Sequence, residues 1–134
     1  MKIVSYGGGN YFPLPPTRGI IVWDKVQPWD NFSQVELAWT SFDRPAAIFR
    51  MCNTTGGKIH PTQKPIALYE WIFKKYAKPG MKILDTHLGS GSSRIAAYNA
   101  GLDFVGYEIN ELYFKLQEER FEKHIAQQNL FLME

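Results

Sequence analysis

Apolar and polar positions change their spacing near the middle of this chain. In the first third the apolar residues come in short runs separated by turn formers. Lys2 to Tyr6 is a β-prone run that stops at three successive glycines, Gly7 to Gly9. Ile20 to Asp24 carries a continuous apolar run, the pattern of a strand covered on both faces, and Ala46 to Met51 reads as another strand. Between them, Asn31 to Phe42 is read as a short helix capped by Asn31 or Ser33. Cys52 to Lys58 is a turn-rich connector.

Beyond residue 58 the pattern is a regular alternation. Thr62 is expected to cap a helix whose first turn tolerates Pro65 and whose apolar face is Leu68, Trp71, Ile72 and Tyr76. Lys82 to Asp85 reads as a strand, Ser92 to Ala100 as a helix closed by Gly101, and Phe104 to Glu108 as the next strand. Asn110 then caps a long helix, with Phe114, Phe121 and Ile125 on one face and Leu112 and Leu116 beside it. Strand, helix, strand, helix predicts parallel pairing through a right-handed crossover, hence a three-layer α/β domain.

Composition narrows the class without choosing a function. The 134 residues suit one compact domain, and 45% hydrophobic with 21% charged residues fits a globular chain. No apolar run is long enough to span a bilayer, no basic-plus-apolar leader opens the chain, and Cys52 alone makes no internal disulfide. A cytoplasmic location is expected. A net charge of +2 permits nucleic-acid binding through a local patch and does not announce it.

The chemistry concentrates in Lys82 to Asn110. Asp85 ends the first parallel strand, where open α/β sheets bind ligands. Gly89 and Gly91 let the backbone approach a ligand closely, and Ser92 and Ser93 open the helix behind them. Glu108 ends the next strand, 19 residues after Gly89, a spacing at which a carboxylate can take both ribose hydroxyls of an adenosine ligand. An NTPase P-loop needs Lys then Ser or Thr after its last glycine, and Gly91 is followed by Ser92 and Ser93. A dinucleotide turn wants a third small residue where Arg94 stands, and Asp85 would face a doubly charged pyrophosphate. S-adenosylmethionine (SAM) carries no phosphate and two cationic groups, so an acid at the strand mouth favours it. Against all three stands the simpler reading of a tight strand-to-helix turn, because single glycine motifs are weak signals.

The segment "IHPTQKPIALYEWIFKKYAKPGMKILDTHLGSGSS" closely resembles the amino-methylating DNA methyltransferases of the adenine-N6/cytosine-N4 type, in the permuted order with the SAM-binding region C-terminal. The H-P-T-Q-K-P run (His60 to Pro65) and the D-x-x-x-G-S-G turn (Asp85 to Gly91) are both intact. The resemblance implies a Rossmann-like SAM-dependent methyltransferase sandwich, with residues 1–58 the strands after the catalytic loop and 59–134 the SAM-binding part. It implies that His60, Pro61, Thr62, Gln63 and Lys64 form a ligand loop, with Thr62, Gln63 and Lys64 at the methionine end of SAM. Asp85, Gly89 and Ser90 would contact the amino-acid moiety beside Gly91, Glu108 would hold the ribose, and Ile109 would flank the adenine. The N-terminal part is also similar to bacterial and phage adenine methyltransferases, so DNA is the expected partner. Arg18 and Lys25, near strand ends, are the DNA-binding candidates. Asn10, Tyr11 and Phe12 read as a packed loop, and Trp23, Trp29 and Trp39 as core or loop anchors.

The same family rests its chemistry on a D-P-P-Y/F/W or S-P-P-Y/W loop that holds the target amine, and no such tetrapeptide occurs here. The look-alike at Pro13 to Arg18 has Leu14 in place of the acid and Thr17 in place of the aromatic. No catalytic residue and no metal ligand is therefore named. The sandwich is expected to be incomplete at the catalytic strand, with the loss made good by an unusual strand pairing, a homodimer or a chain carrying the missing segment. The alternatives that follow are a non-catalytic SAM- or DNA-binding module, or a methyltransferase acting on RNA or protein.

Overall fold

The computed structural model describes residues 1–7, 13–53 and 56–133. Asn10 to Phe12 lie outside the described residues. The chain divides into two compact units, Met1–Thr54 and Thr55–Glu134. The element order is β1 (Val4–Tyr6), β2 (Ile21–Asp24), β3 (Val35–Thr40), β4 (Ala47–Arg50), α1 (Ile66–Tyr76), β5 (Lys82–Asp85), α2 (Ser92–Asn99), β6 (Asp103–Gly106) and α3 (Glu111–Leu132).

The first unit is a four-stranded sheet in the order β1-β3-β2-β4. β3 runs antiparallel to both β1 and β2, and β2 runs parallel to β4, with Ile21 opposite Ala38 on one side and Ala47 on the other. The apolar run at β2 is thus an interior strand, and Ile21 and Trp23 are fully buried. The Trp23 indole donates 2.9 Å to Met51 O and the Trp39 indole 2.7 Å to Pro15 O, so both act as anchors, while Trp29 is exposed.

The helix expected over Asn31 to Phe42 is instead strand β3 preceded by a turn. Ala38 and Thr40 face the core, and the strand has ladder partners on both sides, which outweighs its local helix signals. Asn31 and Ser33 belong to the turn, closed by Lys25 N to Gln34 O at 2.9 Å and by the Gln27 side chain on Ser33 O at 2.6 Å. Cap-forming residues favour turns as readily as helix starts.

The second unit follows the expected alternation. β5 and β6 pair in parallel, Lys82 opposite Asp103 through Asp85 opposite Gly106. Among the described residues β1 and β5 each have a strand partner on one side only, β3 and β6 respectively. α1 buries Leu68, Ile72 and Tyr76, with Trp71 partly covered. Its first residue is Ile66 and its cap is Pro65, not Thr62. Pro65 is extended, with φ −61° and ψ 141°, and its carbonyl accepts from Leu68 N at 3.2 Å, so the helix starts on a backbone bond with no side-chain cap.

Asn110 caps α3 as the sequence predicts, its Oδ1 accepting from Tyr113 N at 3.1 Å. The buried residue of that helix is Gln117, not an aromatic, and Leu112 and Phe114 stay exposed. Gln117 occupies the stripe Phe114, Gln117, Phe121 at helical spacing and meets a polar neighbour, the start of α2. No helix among the described residues is long and apolar enough to cross a membrane.

Candidate functional site

The parallel ladder does not stop where the strands end. Tyr107 N donates to Asp85 O and Leu88 N to Tyr107 O, each at 2.9 Å. These two bonds carry the β6 exit alongside the β5 exit, so Glu108 reaches the glycine turn that lies 19 residues before it. The Glu108 carboxylate accepts from Gly89 N at 2.8 Å through Oε2 and from Asn110 N at 2.9 Å through Oε1. The Asn110 N–H holds this carboxyl below its ordinary range; burial opposes that, and the Gly89 N–H and the nearby His60 and His87 reinforce it.

Asp85 is bound in a comparable way. Its Oδ1 accepts from His87 N at 2.9 Å and its Oδ2 from the Ser93 hydroxyl at 2.5 Å. Neither Asp85 nor Glu108 has a lysine or arginine partner among the described residues. Two carboxylates therefore flank one turn while held only by neutral N–H and O–H donors and the influence of two histidines.

The turn itself depends on left-handed glycines. Gly89 has φ +53° and Gly91 φ +74°, and Gly91 is the cap of α2. A Cβ at Gly91 would lie 3.1 Å from the Gln117 Cβ and Oε1, so both conformation and space demand glycine there. Ser90, Ser92 and Ser93 are buried beside it. Arg94, at the position where a dinucleotide turn wants a small residue, points away into α3. It pairs with Glu118, donates to Gln117 Oε1 at 3.0 Å and lies 3.8 Å from the Phe121 ring centre.

The H-P-T-Q-K-P segment lies against this turn through one side chain. The His60 ring would sit 3.6–3.7 Å from a Cβ on Gly89, and its centre is 4.3 Å from that of Tyr113. His60 Nδ1 accepts from Thr62 N at 3.2 Å and lies 3.1 Å from the Thr62 hydroxyl. Pro61 and Thr62 are exposed, whereas Gln63 is buried, with its Oε1 accepting from Ile59 N at 3.0 Å. Lys64 is half-buried and Ile109 is 99% exposed, beside Glu108.

The structure thus brings His60, Asp85, Gly89, Ser90, Gly91 and Glu108 into one neighbourhood. Gln63 lies in the same loop, with its Oε1 turned to Ile59 N. Sequence reasoning missed two residues of α3: Gln117, which packs against Gly91, and Arg120, which donates to Ser90 O and the Ser92 hydroxyl; the available signal for Gln117 was a polar residue on an otherwise aromatic stripe. In the other unit, Lys25 is paired with Glu36 at 2.9 Å and its side chain is only 16% exposed. Arg18 is paired with Asp43 at 2.6 Å, with 64% of its side chain exposed.

This geometry agrees with what the chain is similar to. The DNA methylase family of the N6/N4 type matches residues 21–119. The type II methyltransferase M2.DpnII of Streptococcus pneumoniae is 31% identical over 100 residues, covering 75% of this chain and 35% of that protein. The crystal structure of the M1.HpyAVI–SAM complex superposes with a TM-score of 0.61 at 27% identity, over 75% of this chain and 60% of that one. The cytosine-N4-specific PvuII DNA methyltransferase shares the fold, with a TM-score of 0.64 at 15% identity over 84% of this chain and 56% of that one. The chain spans about a third of the length of the curated relative. With a family match over most of its length and the paired acids around a glycine turn, the chain belongs to the N6/N4 DNA methylase family.

Proposed function

We propose that this chain forms the SAM-binding part of a DNA methyltransferase that transfers a methyl group to a base amino group, in the adenine-N6 branch. The observation that carries the proposal is the pair of carboxylates, Asp85 and Glu108, that flank the turn without a lysine or arginine partner among the described residues. A phosphate ligand would be repelled by both, while a cationic adenosine ligand gains from both. Bound at this turn, SAM would supply an electrophilic methyl group on its sulfonium.

The roles of the chain's own residues follow from their remaining hydrogen-bonding capacity. Each Glu108 oxygen has one recorded donor and a free lone pair for a ribose hydroxyl. Asp85, fixed by His87 N and Ser93, keeps acceptor capacity for an ammonium group. Gly89 and Gly91 take the left-handed conformations that shape the turn, and the exposed Ile109 offers an apolar cover for the adenine. Thr62, Gln63 and Lys64 contribute the methionine end of the pocket, with His60 and the Gln63 Oε1 holding their loop. The adenine-N6 assignment is supported by the resemblance of the N-terminal part to adenine methyltransferases.

Reaction at the base requires that it leave the stack and be held in line with the donor. In the family that task falls to a D-P-P-Y-type loop, a tetrapeptide that does not occur in these 134 residues. The test is titration calorimetry with SAM, NAD and ATP, followed by transfer from tritiated SAM to DNA with and without a chain carrying a D-P-P-Y loop. Label in N6-methyladenine supports the full proposal, and label in N4-methylcytosine replaces the branch. No SAM binding at millimolar concentration would remove the assignment.

A further inference from the structure

The glycine turn is pinned on one side by Glu108, which takes the Gly89 N–H. It is pinned on the other side by a residue that is not itself among the expected ligand contacts and that grips the turn through Ser90 and Ser92. Arg120 Nη1 donates 2.7 Å to Ser90 O and 2.9 Å to the Ser92 hydroxyl. Ser90 stands between the two left-handed glycines. Glycine has the weakest intrinsic preference of any residue, so the conformation of such a turn must be set by what grips it. Backbone bonding into α2 begins one residue later, where Ile95 N donates to Gly91 O at 3.1 Å, and Ser90 O is held by the guanidinium.

The company of Arg120 is unusual for a partly buried cation. Burial lowers its pKa, yet no carboxylate pairs with it among the described residues. Arg94, against the same helix, has Glu118. A desolvated cation without a counter-charge is costly unless its donors are well used, and here they are used on the turn. We infer that Arg120 is a positioning residue for the methyl donor: by holding Ser90 O and Ser92 it sets the Gly89–Gly91 turn in the conformation that receives SAM. This inference rests on the SAM reading of that turn, and it adds a determinant that touches only protein.

The test uses the full chain with Arg120→Met, Arg120→Lys and Ser92→Ala, measured well below each variant's Tm. Two readouts are taken: the SAM Kd, and hydrogen exchange of the Gly89 to Ser92 amides without ligand. Arg120→Met should weaken SAM binding roughly tenfold, the scale of one lost hydrogen bond to a charged donor, and speed exchange across the turn. Arg120→Lys, which keeps a cation and a donor, should restore part of both. Ser92→Ala, which leaves the Ser90 contact, should change the Kd by less than about threefold. Should Arg120→Met fail to fold, Arg120→Lys still decides, because the inference requires a raised Kd and faster turn exchange in that variant. A variant with lowered Tm but unchanged Kd and unchanged turn exchange would reduce Arg120 to a packing residue and overturn the inference. If the unmodified chain bound no SAM, the donor reading would fall alone, and the exchange data would still decide whether Arg120 holds the turn.

Discussion

The ion pairs of the N-terminal unit and the glycine turn of the C-terminal unit treat charge in opposite ways. In the N-terminal sheet the cations Arg18, Lys25 and Arg50 each have a carboxylate, Asp43, Glu36 and Asp24. Around the C-terminal glycine turn, among the described residues, the carboxylates Asp85 and Glu108 have only N–H and O–H donors, and the cation Arg120 has only a carbonyl and a hydroxyl. Ion pairs closed within a sheet have little left to offer a ligand. Carboxylates fixed by neutral donors keep their charge and a defined direction, which is the preorganisation a charged ligand rewards. The lesson is that a candidate site can be sought among the charges the fold leaves uncompensated.

The contrast breaks most directly at the two acids. Asp85→Ala and Glu108→Ala should each weaken SAM binding by about 1–3 kcal/mol, the range for a lost hydrogen bond to a charged group. Calorimetry on the folded variants measures this, and a Kd unchanged in both would show that the uncompensated charges serve something other than the donor.

A smaller effect, on stability, tests whether the turn is as constrained as its geometry implies. Gly91→Ala forces a left-handed alanine and places its Cβ 3.1 Å from Gln117, so a loss of about 1–2 kcal/mol is expected. Gly80→Ala, also at positive φ but with nothing within 4 Å, isolates the conformational part. Equal Tm losses in the two would mean that Gln117 yields without cost.

Part of this was readable in the sequence because local and global signals agreed. Asp85, the two glycines and Glu108 mark strand ends and a turn, and the parallel β5–β6 ladder puts them where the spacing implies. The sequence does not reveal β3 as a strand because Asn31 and Ser33 suit a turn as well as a helix start, and only two-sided pairing decides between them. Thr62 was expected as a cap, yet its N–H goes to His60 Nδ1, a contact within a loop whose shape no periodicity encodes. Gln117 and Arg120 escaped because polar residues on a helix are normally solvated. Their burial follows from a polar turn packing on α3, which is a tertiary fact.

Titration sharpens the comparison further. Glu108 is held below its ordinary pKa in the folded chain, first by the Asn110 N–H and, against opposing burial, by the Gly89 N–H. A depressed carboxylate contributes stability that is complete above its unfolded value of about 4.3 and is lost as pH falls through the folded value. The Tm gap between the unmodified chain and Glu108→Gln should therefore be constant from pH 7 to about 5 and close below about pH 4. A gap that persists at pH 3 would mean that the two N–H bonds do not depend on the charge.

The smallest expected effect separates the two DNA candidates, and it turns on the same accounting of charges. Arg18 holds an ion pair with both partners largely exposed, and such a pair is worth little in water. A DNA phosphate can replace Asp43 at little cost and release counterions as it does so. Lys25 is mostly buried, bonded to Glu36 and 5.5 Å from the Trp23 ring centre, so leaving Glu36 would sacrifice a sheltered contact for an exposed one. Arg18→Ala should weaken DNA binding a few-fold and reduce the slope of log K against log salt by about 0.9, the signature of one phosphate contact. Lys25→Met should instead lower stability by about 0.5–1 kcal/mol, discounted for solvent at Glu36, with the salt slope unchanged. Salt titrations of DNA affinity for both variants decide it. A slope that moved with Lys25 rather than Arg18 would mean that burial and pairing in the N-terminal sheet do not predict which cations remain available to DNA.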